Sequence, residues 1–370
     1  MPAKLYIDLK QLRKNISILA GVSPQSKMIA VLKTNAYGHG AVKLANSLKD
    51  LDLSYIAFAN TQEGIKVKRG GYDKSILILG ANEVDDVLTG IKEGFTVSIA
   101  SFEALQAVKN FDISGLEEIK LHIKFDTGMN RAGIGMRRAY EFLDIFADLL
   151  KNRPKIKCEA IYSHMSAADE ADNSFNQMQH DRILDIKNIY KDKIGKDIKV
   201  HLQNSAGILN FPNYKFDWIR PGLAIYGINP GTKDERGLKP ILSWRAPIVN
   251  IRTLKKGDAV SYKMNWLAKK EERVATVSVG YGDGYSFRNS NGVGVGFIGG
   301  QRCEVLGRVC MDMTVFNLGK APAKVGDLVT LLGSDQEKSI DACEVALRIG
   351  TVANDVVSSL SPRNQRIYSN

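Results

Sequence analysis

"MIAVLKTNAYGHG", residues 28–40, is the first of a series of short apolar runs that each end in a polar turn. Five apolar residues lead to Lys33, and small and polar residues follow it. An apolar run of this length between turn signals is typical of a strand that is buried on both faces. The stretch therefore predicts a parallel strand whose C-terminal end carries a lysine.

Similar runs recur along the chain, with amphipathic segments such as "FEALQAVKN" (102–110) and "RAYEFLDIFADLLKN" (138–152) between them. The further predicted strands are 54–58, 75–79, 96–100, 119–124, 158–163, 198–202 and 223–227. Eight strand–helix units predict an α/β fold with a (β/α)8 TIM barrel in residues 1–235. A doubly wound open sheet is the alternative, and the chain length favours the barrel.

The pattern changes after "GINPGTKDERGLKP" (227–240), which reads as a linker rich in glycine, proline and charge. Strand-like segments then follow at closer spacing: "APIVNIRTL", "RVATVSVG", "RCEVLGRVC" and "DLVTLLG". A helix is predicted near "IDACEVALRIG". Residues 236–370 are therefore predicted to form a mostly antiparallel β-domain, with which the first residues of the chain can pair.

The composition narrows the class of protein. The net charge of +11 is spread along the chain and interleaved with acids, which argues against nucleic acid and fits a small anionic ligand. No apolar run reaches the roughly 20 residues that span a bilayer, and "MPAKLYIDL" has no signal-peptide pattern. Four cysteines without CxxC spacing disfavour zinc and disulfides, so no metal and a reducing, cytoplasmic location are expected.

Polar residues follow the predicted strands, where the chemistry of a barrel is located. Each of these residues alone is weak evidence for a functional site, since a lone lysine is usually solvated and a lone histidine usually has a structural role. Together they would place two lysines, two arginines and a histidine at one barrel mouth, which suits a phosphorylated anion. They are Lys33, Tyr37, Lys124, Asp126, Arg131, His164, Asn204, Ser205, Arg220 and Gly222.

Lys33 has a specific chemical use at the end of a buried strand. Desolvation lowers the pKa of a lysine, and the neutral amine can form a Schiff base with an aldehyde. Tyr37, Ser205 and the backbone at Gly222 can donate to a phosphate. Aldehyde and phosphate together describe pyridoxal 5'-phosphate.

Eight motifs then resemble the alanine racemases, pyridoxal-phosphate enzymes with an N-terminal barrel and a C-terminal β-domain. In chain order they are "AVLKTNAYGHG", "KFDTGMNRAG", "YSHMSAAD", "HLQNSAG", "RPGLAIYG", "VSYKMNW", "VSVGYGDGY" and "CMDM". The resemblance covers nearly the whole chain. It implies a homodimer with active sites at the subunit interface.

The resemblance also implies two bases on opposite faces of the substrate α-carbon, as a racemase requires. Lys33 would hold the cofactor and act as one base, and Tyr262 from the partner subunit would be the other. Arg220 would face the pyridine nitrogen, where a permanent cation disfavours ring protonation. His164 would hydrogen-bond near Tyr262, and Arg131 would bind the substrate carboxylate.

Further positions match the family one by one. Lys124 matches a lysine that is often carbamylated to hold the arginine. The phosphate would be bound by Tyr37, Ser205, Gly222 and the backbone of Leu223, with support from Asn204. Met311 and Asp312 match the partner-subunit loop that meets the substrate carboxylate, and Tyr281 matches a residue at the entrance of the site.

One position departs from the family pattern. "TVANDVV" (351–357) places Asn354 where alanine racemases have a tyrosine in a "TINYEV"-like segment. Losing the phenol leaves space beside the substrate side chain, and the amide can bind a hydroxymethyl group. We therefore predict serine as well as alanine as a substrate, in the supply of D-amino acids for peptidoglycan precursors.

This departure makes the chain similar to the serine/alanine racemases of vancomycin-resistant bacteria, which form the cytoplasmic end of a longer, membrane-anchored protein. Two other classes remain open. Basic amino-acid decarboxylases share the cofactor and architecture, and single-barrel pyridoxal-phosphate carriers are non-catalytic. The decarboxylases lack the set of tyrosine and arginines seen here. The residues beyond the linker, with Tyr262 and "CMDM", argue against the carriers.

Overall fold

Eight parallel strands form a closed barrel in the N-terminal part of the chain. The computed structural model describes residues 3–231, 236–335 and 338–370. Each strand pairs with the next, and the first strand pairs with the eighth, so the ring closes and the open-sheet alternative is wrong. The strands are Lys27–Val31, Leu53–Phe58, Ile76–Ile78, Thr96–Ile99, Ile119–Asp126, Ile156–Tyr162, Lys199–His201 and Trp218–Ile219.

Amphipathic helices surround the barrel. In Ala139–Asn152 the buried residues recur every three or four positions, so one face packs on the barrel. Ser101 caps Phe102–Asn110 by accepting the Ala104 N–H at 3.1 Å. The other helices here are Leu9–Val22, Ala41–Ser47, Thr61–Arg69, Val84–Lys92, Phe175–Ile194 and Ser205–Asn210. No helix in the described part of the chain is long and apolar enough to cross a membrane.

The predicted eighth strand is wrong. Residues 223–227 do not form a strand; Leu223–Tyr226 is a turn of 3-10 helix, and the strand is the preceding Trp218–Ile219. Ala224, Ile225 and Tyr226 are all buried. An apolar run that is buried on every side gives no periodicity by which a helical turn can be told from a strand.

The C-terminal part is a largely antiparallel sheet. Ala259–Val260 and Trp266–Leu267 pair separately as a two-stranded sheet. The strands of the large sheet in this part are Leu242–Leu254, Glu272–Val277, Val295–Ile298, Gln301–Leu306, Thr314–Asn317, Leu328–Asp335, Lys338–Ile340 and Gln365–Ser369. Strand Lys4–Asp8 pairs with the first and last of these, so both chain ends lie in this sheet. The predicted domain boundary at residue 235 falls in 232–235, outside the described residues.

Two short helices precede the last strand of the second domain, and the second of them packs on the turn at the barrel mouth. They are Ala342–Ile349, capped by Asp341, and Ala353–Ser358. A Cβ at Gly38 would lie 2.1 Å from the Val357 carbonyl oxygen, and the φ of Gly38 is +80°. Only glycine suits this position, so the last helix reaches the turn that carries Lys33.

Candidate active site

Lys33 begins a turn of left-handed helix directly after the first barrel strand. Thr34, Asn35, Ala36 and Tyr37 have φ between 49° and 55°, a conformation that costs about 1–2 kcal/mol for each non-glycine residue. The Glu63 carboxylate offsets part of this cost. It accepts the N–H of Thr34 at 2.5 Å and that of Asn35 at 3.3 Å.

The turn directs Lys33 and Tyr37 into one cavity of about 680 Å³ at the C-terminal ends of the barrel strands. The Lys33 Nζ lies 5.9 Å from the centroid of the Tyr37 ring. Eleven of the fifteen residues with a predicted catalytic or binding role line this cavity. They are Lys33, Tyr37, Lys124, Arg131, His164, Asn204, Ser205, Arg220, Gly222, Leu223 and Asn354.

Hydroxyl and backbone groups form one end of the cavity. Ser205 Oγ accepts the N–H of Gly222 at 2.9 Å and that of Ala224 at 3.2 Å, so its own hydrogen is available for a ligand. Asn204 caps the helix that Ser205 begins, accepting the Gly207 N–H at 2.9 Å. The Tyr37 hydroxyl lies over Gly222, where a Cβ would be only 2.8 Å away.

Arg220 is held at the cavity floor by acceptors on several elements. Its Nη2 donates to the carbonyls of Ser163 at 2.7 Å and Leu202 at 3.0 Å, and its Nη1 lies 2.6 Å from His201 Nδ1. The residue is only 4% exposed, and this burial lowers its pKa to about 10. The group is still a cation at neutral pH.

Both lysines of the cavity are easier to deprotonate than a free lysine. Burial lowers the pKa of Lys33, and the positive charge of Arg131 adds to the effect, whereas Glu63 opposes it. Burial, with Arg131 and Arg220, lowers the pKa of Lys124 to about 8. Cations that crowd a partly buried space disfavour further positive charge, so neutral amines are accessible here.

His164 is a neutral imidazole with one free donor. Burial, reinforced by the charges of Arg220 and Arg131, lowers its pKa well below the usual value. Its Nδ1 lies 3.3 Å from Arg220 Nη2, which can only donate. The proton therefore sits on Nε2.

Arg131 follows a loop that its own strand end organises. Asp126 Oδ1 accepts the N–H of Gly128 at 2.8 Å and that of Asn130 at 3.0 Å. A Cβ at Gly133 would lie 2.8 Å from the Phe125 backbone. The loop thus folds back on the strand and leaves Arg131 at the cavity rim, exposed on one side.

The remaining four predicted residues do not line this cavity. Tyr262 is 71% exposed, Tyr281 44% and Met311 53%. Asp312 forms an ion pair of 2.7 Å with Arg363. All four belong to the β-domain, and two backbone bonds join the Tyr281 segment to the loop of Met311.

The backbone around Tyr262 is strained. Ser261, Lys263 and Met264 have φ of 66°, 62° and 47°, and such conformations persist where the surrounding structure imposes them. Ser261 Oγ donates to the Arg308 carbonyl at 2.7 Å. Tyr262 is therefore exposed to solvent on a loop whose conformation is fixed by the surrounding structure.

Glu63 and Tyr162 support the site but have no counterpart among the predictions. Glu63 supports the left-handed turn, but in the sequence it looks like an ordinary acid in the first turn of a helix. The Tyr162 ring lies 5.6 Å from Lys124 Nζ and 5.4 Å from the Arg220 guanidinium carbon. Tyr162 precedes His164 by two positions, and this strand alternation is the signal that could have identified it.

The cavity fits pyridoxal 5'-phosphate by the chemistry of its donors. A readily deprotonated lysine suits the aldehyde, and the hydroxyls of Tyr37 and Ser205 beside a side-chain-free Gly222 suit the phosphate. Arg220 would supply a cation beside the pyridine ring. A closed barrel with such a mouth, joined to a β-domain, defines the class of barrel-type pyridoxal-phosphate enzymes.

Comparison with known proteins gives the family. The sequence model described as "Alanine racemase, N-terminal domain" matches residues 7–230, and that of the C-terminal domain matches 241–368. The alanine racemase of Clostridium tetani is 32% identical over 372 residues, covering 99% of this chain and 95% of that protein.

Solved structures agree. The alanine racemase of Streptomyces lavendulae has a TM-score of 0.94 at 27% identity and covers 100% of this chain and 97% of its own. The alanine racemase of Bacillus anthracis with bound L-Ala-P has a TM-score of 0.91 at 30% identity, covering 100% and 95%. The chain belongs to the alanine racemase family and is a pyridoxal 5'-phosphate-dependent racemase. This does not favour the decarboxylase alternative.

Proposed function

We propose that this enzyme interconverts the L and D forms of alanine and also those of serine, with Lys33 and Tyr262 as the two bases. The bound cofactor supplies an electron sink that makes the α-proton of the substrate acidic. Lys33 Nζ takes the proton from one face, and Tyr262 returns one to the other. In the reverse direction the two residues exchange these roles.

The observation that carries the proposal is the separation of the two bases. Lys33 faces the cavity, whereas Tyr262 is exposed on the β-domain of the same chain. A second copy would bring its Tyr262 loop to the cavity, and Tyr281, Met311 and Asp312 with it. Exposed apolar residues around that loop, Met264, Phe287 and Met313, support a homodimeric interface.

Other cavity residues have roles in this scheme. Arg131 binds the substrate carboxylate. The free Nε2–H of His164 donates to the Tyr262 oxygen, which favours the anionic form of the phenol. We further propose that Lys124 reacts through its neutral amine with carbon dioxide to give a carbamate and a proton. The carbamate then pairs with Arg131.

The serine activity is supported by Asn354, which lines the cavity. Its amide can both donate to and accept from a substrate hydroxyl. The proposed similarity to the serine/alanine racemases of vancomycin-resistant bacteria rests on this position. We also propose a cytoplasmic role in the supply of D-amino acids for peptidoglycan, since the four cysteines, all in the described part of the chain, form no disulfide with one another.

The test combines two variants that are each inactive. Lys33→Ala and Tyr262→Phe are unfolded and refolded together, and the formation of D-alanine and D-serine is followed with a stereospecific oxidase. A hybrid dimer has one intact site, so random mixing should restore about a quarter of the wild-type activity. Mixtures without activity would contradict the shared site, and a wild-type enzyme that produces no D-serine would contradict the second substrate.

A further inference from the structure

A row of buried polar side chains extends from Arg220 into the barrel interior. Arg220 Nη1 lies 2.6 Å from His201 Nδ1, and His201 Nε2 lies 2.9 Å from His122 Nδ1. The His122 Nε2 then faces Glu159 Oε2 at 3.8 Å. We call these four residues the imidazole row.

The hydrogen bonds that join Arg220, His201 and His122 all run in one direction, with each residue donating to the next one away from Arg220. Arginine can only donate, so His201 Nδ1 accepts and its proton sits on Nε2. His201 Nε2 then donates to His122 Nδ1, which places the His122 proton on Nε2, opposite the carboxylate. A second proton on His122 would be on Nδ1, where its N–H would point at the N–H of His201 Nε2. Burial lowers the pKa of both histidines, in agreement with neutral rings.

Glu159 is the carboxylate at the far end of the row, where its Oε2 lies beyond hydrogen-bond distance of His122 Nε2, a buried nitrogen that has no hydrogen-bond partner among the described residues. No carboxylate lies within 4 Å of Arg220 among the described residues, and a buried charge without a counter-charge is costly. Glu159 is held by the Tyr55 hydroxyl, which donates to it, and by Lys120 Nζ at 3.3 Å. It is skipped in the strand register, where Leu121 pairs with Cys158 and the next residue with Ala160. Such a bulge re-aims a side chain.

We propose that His122 and Glu159 are positioning residues of this active site, which favour the same tautomer of His201 as Arg220 does and thereby help to hold the Arg220 guanidinium at the cavity floor. The inference rests on the proposed function, because Arg220 matters only if the cavity holds the cofactor during that reaction. The plain alternative is that His122 only packs, since it stacks on Trp218 at 5.3 Å, and that Glu159 only pairs with Lys120.

The first test reads the tautomers in the apoenzyme. The chain has only five histidines, so ¹⁵N labelling of histidine resolves His122 and His201. Glu159→Gln offers an N–H to His122 Nε2 and permits the opposite tautomers. We expect His201 to move in part to the Nδ1–H form. Glu118→Gln, which removes another acid that pairs with Lys120, should leave both rings unchanged.

The second test reads the reaction and the bound cofactor. His122→Asn keeps an acceptor for His201, whereas His122→Leu removes it. We expect kcat for alanine to fall about 10-fold or more in His122→Leu and in Glu159→Gln, with KM little changed. His122→Asn should recover most of this loss. The absorption maximum of the bound cofactor should shift in the two impaired variants, since it senses the group at the ring nitrogen.

A change of tautomer together with a lower kcat in Glu159→Gln supports the proposal. Unchanged tautomers, or changed tautomers with wild-type kcat, overturn it. If His122→Leu does not fold, Glu159→Gln decides alone, because that side chain is partly exposed. A wild-type enzyme without racemase activity would overturn the proposed function. The tautomer measurement would still decide whether Glu159 influences the tautomers of His122 and His201.

Discussion

The contact between Gly222 and Tyr37 leads to a quantitative prediction about cofactor binding. In Gly222→Ala the new Cβ would lie 2.8 Å from the Tyr37 hydroxyl oxygen. Tyr37 is 7% exposed and packs against Tyr226, with the ring centroids 5.2 Å apart. The phenol therefore cannot withdraw freely, and overpacking of this kind typically costs about 1–3 kcal/mol.

If the displaced phenol is a phosphate donor, the cost appears in the affinity for pyridoxal 5'-phosphate. Since 1.4 kcal/mol corresponds to tenfold, Gly222→Ala should raise the Kd about 5- to 150-fold. The assay is titration of the apoenzyme with the cofactor, followed by protein fluorescence. Gly115→Ala is the control, because a Cβ there meets nothing within 4 Å.

A double-mutant cycle with Tyr37→Phe tests the cause. Tyr37→Phe alone should lose a charge-assisted hydrogen bond, at about 1.5–3 kcal/mol. Without the hydroxyl, the nearest ring atom to the new Cβ is Cζ at 3.4 Å, an ordinary contact. When Tyr37→Phe is already present, adding Gly222→Ala should then cost less than about 0.5 kcal/mol. Equal costs with and without Tyr37→Phe would refute the reasoning.

Three further predictions concern the same cavity. Asn354→Tyr should lower turnover of L-serine about 10-fold or more relative to L-alanine, since one pocket contact is worth roughly 1–3 kcal/mol; equal effects in parallel assays would contradict the role of Asn354. Arg131→Ala removes a charge that lowers the pKa of Lys33, and Glu63→Gln removes one that raises it. The pH midpoint for cofactor attachment to the apoenzyme should therefore move up in the first and down in the second, and a shift of the opposite sign would count against this. A carbamate on Lys124 should give a ¹³C resonance in labelled bicarbonate that is missing from Lys124→Ala.

Much of the barrel could be predicted from local patterns. A run such as 28–32 and the spacing of buried residues in Ala139–Asn152 carry their own periodicity. The prediction of the eighth strand was wrong because the fully buried run at 223–227 has no such periodicity. Most of the cavity residues were also predictable, since parallel strands carry their C-terminal residues to one barrel mouth.

The supporting residues were not predictable in this way. Glu63 acts on the left-handed turn from a separate strand–helix unit, and the imidazole row joins residues of three strands to the residue that follows a fourth. Nothing in the local sequence of Glu63 or His122 differs from that of an ordinary helix or strand. Their roles depend on distances across the barrel.

The sequence by itself determined the barrel architecture, the family and the chemical groups available to the reaction, because these depend on residue type and spacing. Only the tertiary structure decided which groups meet. It placed Asn354 in the cavity that begins at Lys33, and it left Tyr262 exposed on the other domain. It also lowered the pKa values of Lys33 and Lys124. The physical reason is that desolvation and charge–charge interaction act through space, between residues that are far apart in the chain.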